Sequence, residues 1–160
     1  MKYTLDTNIF IDGFRNEALQ AEIFSFFYRA LPFTYLSAVV MQELAAGART
    51  NETRDEVRHG VFEPFERRGR VFAPSRAAFA ESGRAVAELA GHEGRRLLDE
   101  KPSLLNDALI AVSCREQGIT LITHDSDFGR LARFIAGFRY AVPWPDVQLP
   151  PTGSRRKIGP

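Results

Sequence analysis

The sequence predicts an α/β fold, in which about five strands form a mainly parallel sheet flanked by helices within a single domain. Short apolar or β-prone segments alternate with longer segments of helical periodicity along most of the 160 residues. This alternation is typical of strand–helix units around a parallel sheet. The length, with 44% hydrophobic and 26% charged residues, fits one globular domain with one core.

The strands are predicted from their composition and from the turn residues around them. They are residues 2–5, 33–36, 70–72, 119–122 and 139–142. Between the first two strands, apolar residues recur at three- and four-residue steps from Leu19 to Ala30, which indicates a helix with one apolar face, and Pro32 ends it.

Two further helices complete the pattern. Ser75 is the predicted N-cap of a long helix whose apolar face includes Phe79, and Gly91 is expected to break that helix. Ser103 precedes a second helix, which Gly118 closes as a C-terminal glycine.

The composition excludes several classes of protein. The formal net charge is +1, from 21 basic and 20 acidic residues, so no overall positive field indicates a nucleic-acid partner. Cys114 is the only cysteine, which excludes an internal disulfide and favours a reducing, cytoplasmic setting. Asp6 and Asp12 interrupt the apolar start, and no run of about 20 apolar residues follows, so neither export nor membrane insertion is expected.

The composition changes near the carboxyl terminus. Four of the nine prolines fall within residues 143–151, and helical or strand periodicity disappears there. We expect one domain over residues 1–149 and a flexible tail over 150–160, in which Arg155, Arg156 and Lys157 form a short basic stretch.

Two aspartates follow predicted strands. Asp6 comes directly after the first strand and Asp125 comes shortly after the fourth. Because ligands of open parallel sheets bind outside the carboxyl ends of the strands, the fold can bring both acids to one crevice. Either aspartate alone is equally explained as a helix N-cap or a turn residue.

Two more acids lie on predicted helices beside apolar residues. If Ser37 caps a helix over residues 38–48, Glu43 shares the face of Val40, Leu44 and Gly47. Asp107 lies one turn before apolar residues of the next helix, although stabilisation of the helix dipole also explains it.

Four carboxylates in one crevice would repel one another unless a cation lay between them. Hard oxygen ligands without paired histidines or cysteines favour Mg²⁺ or Mn²⁺. Such an ion can orient and activate a water for attack on a phosphodiester, so the acids indicate phosphoryl chemistry.

The chain resembles PIN-domain endoribonucleases, in particular the VapC-like toxins of bacterial toxin–antitoxin modules. Four motifs carry the resemblance: LDTNIFID at 5–12, LSAVVMQEL at 36–44, NDALIAVSC at 106–114 and LITHDSDF at 121–128. The resemblance implies a PIN-like fold and Mg²⁺- or Mn²⁺-dependent hydrolysis of RNA by an activated water. It also implies a cognate antitoxin partner and a homodimer.

The resemblance also implies residue roles. The metal ligands and catalytic acids are Asp6, Glu43, Asp107 and Asp125, with Asp127 as an auxiliary metal-binding acid. Asn8 and Thr123 would orient the carboxylates, although each also fits a cap or a turn.

Other features have open alternatives. Arg130, Arg133 and Arg139 could contact the RNA backbone or form a solvated face. The segment IFSFFYRALPFTY, residues 23–35, holds four phenylalanines and two tyrosines and could fill the core or form a partner surface.

The sequence is also compatible with two other functions. One is a phosphatase-like enzyme with Asp6 as nucleophile, although Asn8 replaces the second aspartate usual in that chemistry. The other is a catalytically inert PIN-like module that binds RNA or protein, although all four acids are present.

Overall fold

The computed structural model describes residues 1–94 and 96–145. Its centre is a parallel five-stranded sheet of order β3-β2-β1-β4-β5. The strands are β1 (Lys2–Leu5), β2 (Thr34–Ser37), β3 (Val71–Phe72), β4 (Ile119–Ile122) and β5 (Arg139–Ala141). The predicted α/β fold class is confirmed, and the bounds of each predicted strand differ by at most one residue from those observed. The tail expected at 150–160 lies outside the described residues.

Helices connect the strands and cover the sheet. They are α1 (Thr7–Arg15), α2 (Glu17–Ala30), α3 (Ala38–Gly47), α4 (Asn51–Val57), α5 (Glu63–Glu66), α6 (Arg76–Glu93), α7 (Leu97–Glu100), α8 (Leu104–Gln117) and α9 (Asp127–Leu131). A 3-10 turn, Leu31–Phe33, follows α2, and a π turn, Arg58–Phe62, joins α4 to α5. None of the helices in the described part of the chain is long and apolar enough to cross a membrane.

Three predicted helix ends are confirmed. The Ser37 hydroxyl accepts a hydrogen bond from the Val39 N–H at the start of α3, and the Ser75 hydroxyl accepts from Ala78 N–H at the start of α6. Gly118 closes α8 with φ of 63°, a left-handed conformation that glycine adopts without the steric cost of a Cβ.

Two expectations about α6 were wrong. Gly91 does not break the helix, which continues to Glu93 and ends at Gly94, where φ is 117°. One helical glycine costs only about 1 kcal/mol, which the packing of α6 against α8 outweighs. Phe79 is 60% exposed, since the face toward the core consists mostly of small residues. Its members are Ala78, Ser82, Ala85, Val86 and Leu89. Small residues let two helices approach closely, and a phenyl ring there would hold them apart.

The helix α8 is the centre of the core. Every residue from Asp107 to Cys114 is buried, because this helix packs against α6, α3, α9 and β4. The Arg115 guanidinium forms a bidentate ion pair with Glu81, which links α8 to α6. A carboxylate carried inward by α8 is therefore removed from bulk water.

The order of the strands creates a crevice between β1 and β4. The chain adds β2 and β3 on one side of β1 and then returns to place β4 and β5 on the other side. Leu5 and Ile122 are register partners, and the Asp6 N–H donates to the Ile122 carbonyl at 2.9 Å. The residues that follow both strands therefore meet where the direction of winding reverses, which is where open α/β sheets bind ligands.

Candidate metal centre

Asp6 is fixed from two sides at the end of β1. It is 5% exposed, and one carboxylate oxygen accepts from the Thr7 N–H at 2.8 Å, so it also caps α1. The other oxygen accepts from the Thr123 hydroxyl at 2.7 Å. Burial raises the pKa of Asp6 to about 6, although both hydrogen bonds act in the opposite direction. Asp6 thus combines the helix-cap role with a position in the crevice.

Thr123 connects the residues around Asp6. Its hydroxyl oxygen accepts from the Asp125 N–H at 2.9 Å and from the Asn8 side-chain amide at 3.4 Å, while it donates to Asp6. Thr123 is 2% exposed, so these partners replace water. Thr123 therefore contacts Asp6 directly, as expected of a residue that orients this carboxylate. Asn8 hydrogen-bonds Thr123, so its described link to Asp6 is indirect.

Glu43 is held by residues from two other helices. One carboxylate oxygen accepts a short hydrogen bond from the Thr7 hydroxyl, and the other accepts from the Asn106 amide at 2.9 Å. Glu43 is half-buried and Gly47 is exposed, so the predicted position on the core face of α3 was wrong. That face consists of Val39, Val40 and Leu44, and Glu43 lies beside it, on the flank that meets α1 and α8.

Asp107 is the most strongly perturbed of the acids. It is 8% exposed, and its Oδ2 has no hydrogen-bond partner among the residues that the structure describes. Burial, followed by the negative charges of Asp6, Asp125 and Glu43 and also Asp127, raises its pKa to about 8. The charges of Glu43 and Asp125 also act on Asp6, so the four acids lie within one electrostatic neighbourhood although they come from distant segments.

Asp125 and Asp127 lie close together but have different surroundings. Asp125 is half-buried, and its Oδ1 accepts from the Asp127 N–H at 2.8 Å. Asp127 is 5% exposed, and its carboxylate accepts from Lys101 Nζ at 2.7 and 2.6 Å and from Arg130 Nη1 at 2.6 Å. Burial raises the pKa of Asp127, but these two cations outweigh that effect and hold it below its usual value. An auxiliary role in metal binding would require these ion pairs to break.

The donor set fits a hard divalent cation. No three described histidine, cysteine, aspartate or glutamate side chains already converge as a complete set of ligands. Each carboxylate oxygen, however, has two lone pairs, so a single hydrogen bond leaves one for a cation. The partnerless Oδ2 of Asp107 has both. Oxygen donors of this kind match Mg²⁺ or Mn²⁺.

The three arginines predicted near RNA have separate positions. Arg130 lies between Glu93 and Asp127, and Arg133 donates to Glu93 at 2.6 Å. Arg139 starts β5 and donates to the Gly118 carbonyl at 3.0 Å, at the amino edge of the sheet. The acids lie at the carboxyl edge, so the structure brings Arg130 to the centre but not Arg139.

Sequence reasoning did not single out three residues of the site: Thr7, Lys101 and Asn106. Thr7 and Asn106 are each adjacent in sequence to an acid, and this position was the only indication available. Lys101 carried no such indication, because its partner Asp127 is 26 residues away.

Comparisons with known proteins identify the family and agree with the fold. The profile of the PIN domain family matches residues 3–134. No curated protein matches the chain significantly. Among solved structures, a chain of DNA-bound VapBC from Salmonella typhimurium is 23% identical with a TM-score of 0.64, and the match covers 89% of this chain and 98% of that one.

Two further crystal structures have the same fold. FitAcB from Neisseria gonorrhoeae is 20% identical with a TM-score of 0.62, over 86% of this chain and 95% of that one. VapBC-1 from nontypeable Haemophilus influenzae is 22% identical with a TM-score of 0.60, over 89% and 98%. These likenesses extend over most of this chain and nearly all of each matched chain.

Proposed function

We propose that this chain, which belongs to the PIN-domain family, is a Mg²⁺- or Mn²⁺-dependent endoribonuclease and the toxin of a toxin–antitoxin module. Its metal ligands are Asp6, Glu43, Asp107 and Asp125. One observation carries the proposal: Asp107 places a carboxylate oxygen without a partner among the described residues inside a cluster of acids, where burial and the neighbouring negative charges raise its pKa to about 8. A bound divalent cation offsets part of this repulsion.

The residues of the centre fix the carboxylates before substrate arrives. Thr123 holds Asp6, and Thr7 and Asn106 hold Glu43 by its two oxygens. The bound ion supplies a Lewis acid that activates a water and neutralises charge developing on the phosphodiester. With their geometry fixed in advance, the acids lose little conformational freedom when they bind the ion.

The structure disfavours Asp6 as a covalent nucleophile. Both of its oxygens accept hydrogen bonds, and the side chain is 5% exposed. A phosphatase-like reaction needs one of these oxygens to reach phosphorus in line with the leaving group. Hydrolysis by water needs no such exposure, so we retain it as the proposed reaction.

The partners that we propose are RNA as substrate, a cognate antitoxin and a second copy of the chain. The VapBC and Fit structures that share this fold are named as two-component assemblies. On this chain, Phe24 and Tyr28 of α2 are 62% and 92% exposed, whereas Phe26 is fully buried. A groove of about 370 Å³ beside Phe24 is also lined by Phe14 and Phe27. Exposed aromatic side chains beside an apolar groove favour a protein contact.

Metal binding and RNA cleavage test the function together. Purified protein is titrated with Mn²⁺ by calorimetry and incubated with structured RNAs in Mg²⁺ or Mn²⁺. The variants Asp6→Asn, Glu43→Gln and Asp107→Asn are expected to lose at least about tenfold in Mn²⁺ affinity and most of the cleavage. The matched control is Asp55→Asn, since Asp55 is an exposed residue of α4.

The outcomes separate the candidate functions. Equal cleavage by the wild type and the three site variants would refute the nuclease assignment. RNA binding that does not depend on Mn²⁺, without cleavage, would indicate the catalytically inert module.

A further inference from the structure

Lys101 and Asp127 form an ion pair at the rim of the acidic centre. We propose that Asp127 is not a metal ligand and that it positions the Lys101 ammonium to bind a phosphate of the RNA beside the cleaved bond. This inference rests on the proposed function.

The carboxylate of Asp127 is already paired with two cations. Its Oδ1 accepts from both Lys101 and Arg130, and its Oδ2 accepts from Lys101 at 2.6 Å. The residue is 5% exposed, so bulk water does little to replace these partners. Loss of a cation from a buried carboxylate is costly, because its charge is then less well compensated. The ion pairs therefore favour a structural link over metal coordination.

The same contacts fix Lys101 between two segments of the centre. Its carbonyl accepts from the Leu104 N–H at 3.1 Å, at the start of the helix that carries Asp107. Its ammonium is bound to Asp127, whose N–H donates to Asp125 at 2.8 Å. The cation thus lies between the amino end of α8 and the loop that follows β4.

Lys101 differs from Arg130 in its capacity to bind a further anion. Its side chain is 42% exposed, and its described hydrogen bonds go only to Asp127. An ammonium has three donors and can rotate one toward solvent without breaking the pair. Arg130 is 26% exposed and divides its guanidinium between Asp127 and Glu93. Of the two cations that contact Asp127, Lys101 is therefore the one whose positive charge is available to a further anion.

RNA needs such a cation here. Asp6, Glu43, Asp107 and Asp125 together repel the phosphates on either side of the cleaved bond, and one divalent ion offsets only part of their charge. A fixed ammonium next to this cluster attracts the neighbouring phosphate without reading the base. Its described side-chain hydrogen bonds go to Asp127 and to none of the four acids, so it does not compete with the metal for them.

The test uses Lys101→Met, which removes the charge and keeps an unbranched side chain that is shorter only by the terminal amino group. Its matched control is Lys2→Met, since Lys2 is exposed at the opposite edge of the sheet. RNA cleavage by Lys101→Met is expected to show a KM raised about tenfold with little change in kcat, as for loss of one charge-assisted contact made equally in substrate and transition state. Lys101→Arg is expected to restore most of the loss.

Two measurements do not depend on cleavage. Binding of a fluorescein-labelled RNA stem-loop is followed by anisotropy at several salt concentrations. The slope of log Kobs against log salt concentration is expected to decrease in magnitude by about 0.7 to 0.9 for Lys101→Met and to stay unchanged for Lys2→Met. Mn²⁺ affinity measured by calorimetry is expected to stay within about twofold of the wild type for Asp127→Asn, because the Asp127 carboxylate contacts Lys101 and Arg130 and none of the four acids, whereas the large second-sphere effects come from side chains that hydrogen-bond the ligands. The KM of Asp127→Asn is expected to rise, because Lys101 loses its anchor.

The results separate this inference from the proposed function. Mn²⁺ affinity reduced by Asp127→Asn as strongly as by Asp107→Asn would make Asp127 a ligand and overturn the inference. An unchanged KM and salt slope for Lys101→Met, in a wild type that binds Mn²⁺ and cleaves RNA, would also overturn it while leaving the nuclease assignment intact. A wild type that neither binds Mn²⁺ nor cleaves RNA would remove both.

Discussion

Asp107 makes the stability of the metal-free protein depend on pH. Its pKa rises from 3.8 to about 8 on folding, because burial and the surrounding carboxylates disfavour the ionised form. Below the lower value both the folded and unfolded states hold the proton, and no stability is lost. As the pH rises between the two values, the unfolded state releases the proton that the folded state retains, so stability falls; above the higher value the loss is constant.

The magnitude follows from this difference in pKa. Each pH unit within the interval lowers the free energy of unfolding by about 1.4 kcal/mol. Asp107→Asn removes the titration, so from about pH 5 to about pH 8 the variant is expected to gain on the order of 4 kcal/mol relative to the wild type.

Urea denaturation in the presence of a chelator measures this difference. The single tryptophan, Trp144, stacks on the buried Phe26 with ring centroids 5.2 Å apart and so reports unfolding. Asp55→Asn is the control, because Asp55 is exposed. Saturating Mn²⁺ is expected to stabilise the wild type more than Asp107→Asn. A stability difference between Asp107→Asn and the wild type that stays constant across this pH range would refute the reasoning.

Two further predictions concern Thr123 in the acidic centre and the aromatic residues of α2. Thr123→Val removes the hydroxyl that donates to Asp6 at 2.7 Å. Calorimetry is expected to show Mn²⁺ affinity lowered by about tenfold or more for Thr123→Val and retained by Thr123→Ser. Equal affinity of the two variants would contradict an orienting role of the hydroxyl. Phe26→Ala is expected to cost about 3 to 5 kcal/mol in urea denaturation because Phe26 is fully buried, whereas Tyr28→Ala, at 92% exposure, is expected to change stability by less than about 0.5 kcal/mol. Similar losses for both would contradict the division of the aromatic segment into core and surface.

The strands and two of the acids could be predicted because their determinants are local. Strand segments such as Ile119–Ile122 are short apolar runs bounded by turn residues, and the parallel arrangement follows from the alternation with helices. Asp6 and Asp125 follow two strands that the sheet order places side by side. Position after a strand is readable from the sequence, and a parallel sheet converts it into proximity.

Periodicity did not predict the difference in burial between the two helical acids. Glu43 was expected on the core face of α3, but Val40 and Leu44 are buried there and Glu43 is only half-buried beside them. Asp107 is deeply buried because α8 is enclosed by several elements rather than covered on one face. A periodic pattern indicates which residues share a face, but the number of neighbours around the helix decides how much water each face retains.

The strands, the helix caps and the four segments that carry the acids can be predicted from the sequence, since each depends on residues close together along the chain. The contacts of each acid depend instead on how distant segments pack together. Glu43 is held by Thr7 and Asn106, and Asp127 by Lys101 across 26 residues. Hydrogen bonds and ion pairs depend on distances of a few ångströms between distant segments, and such distances are set by how helices pack on the sheet.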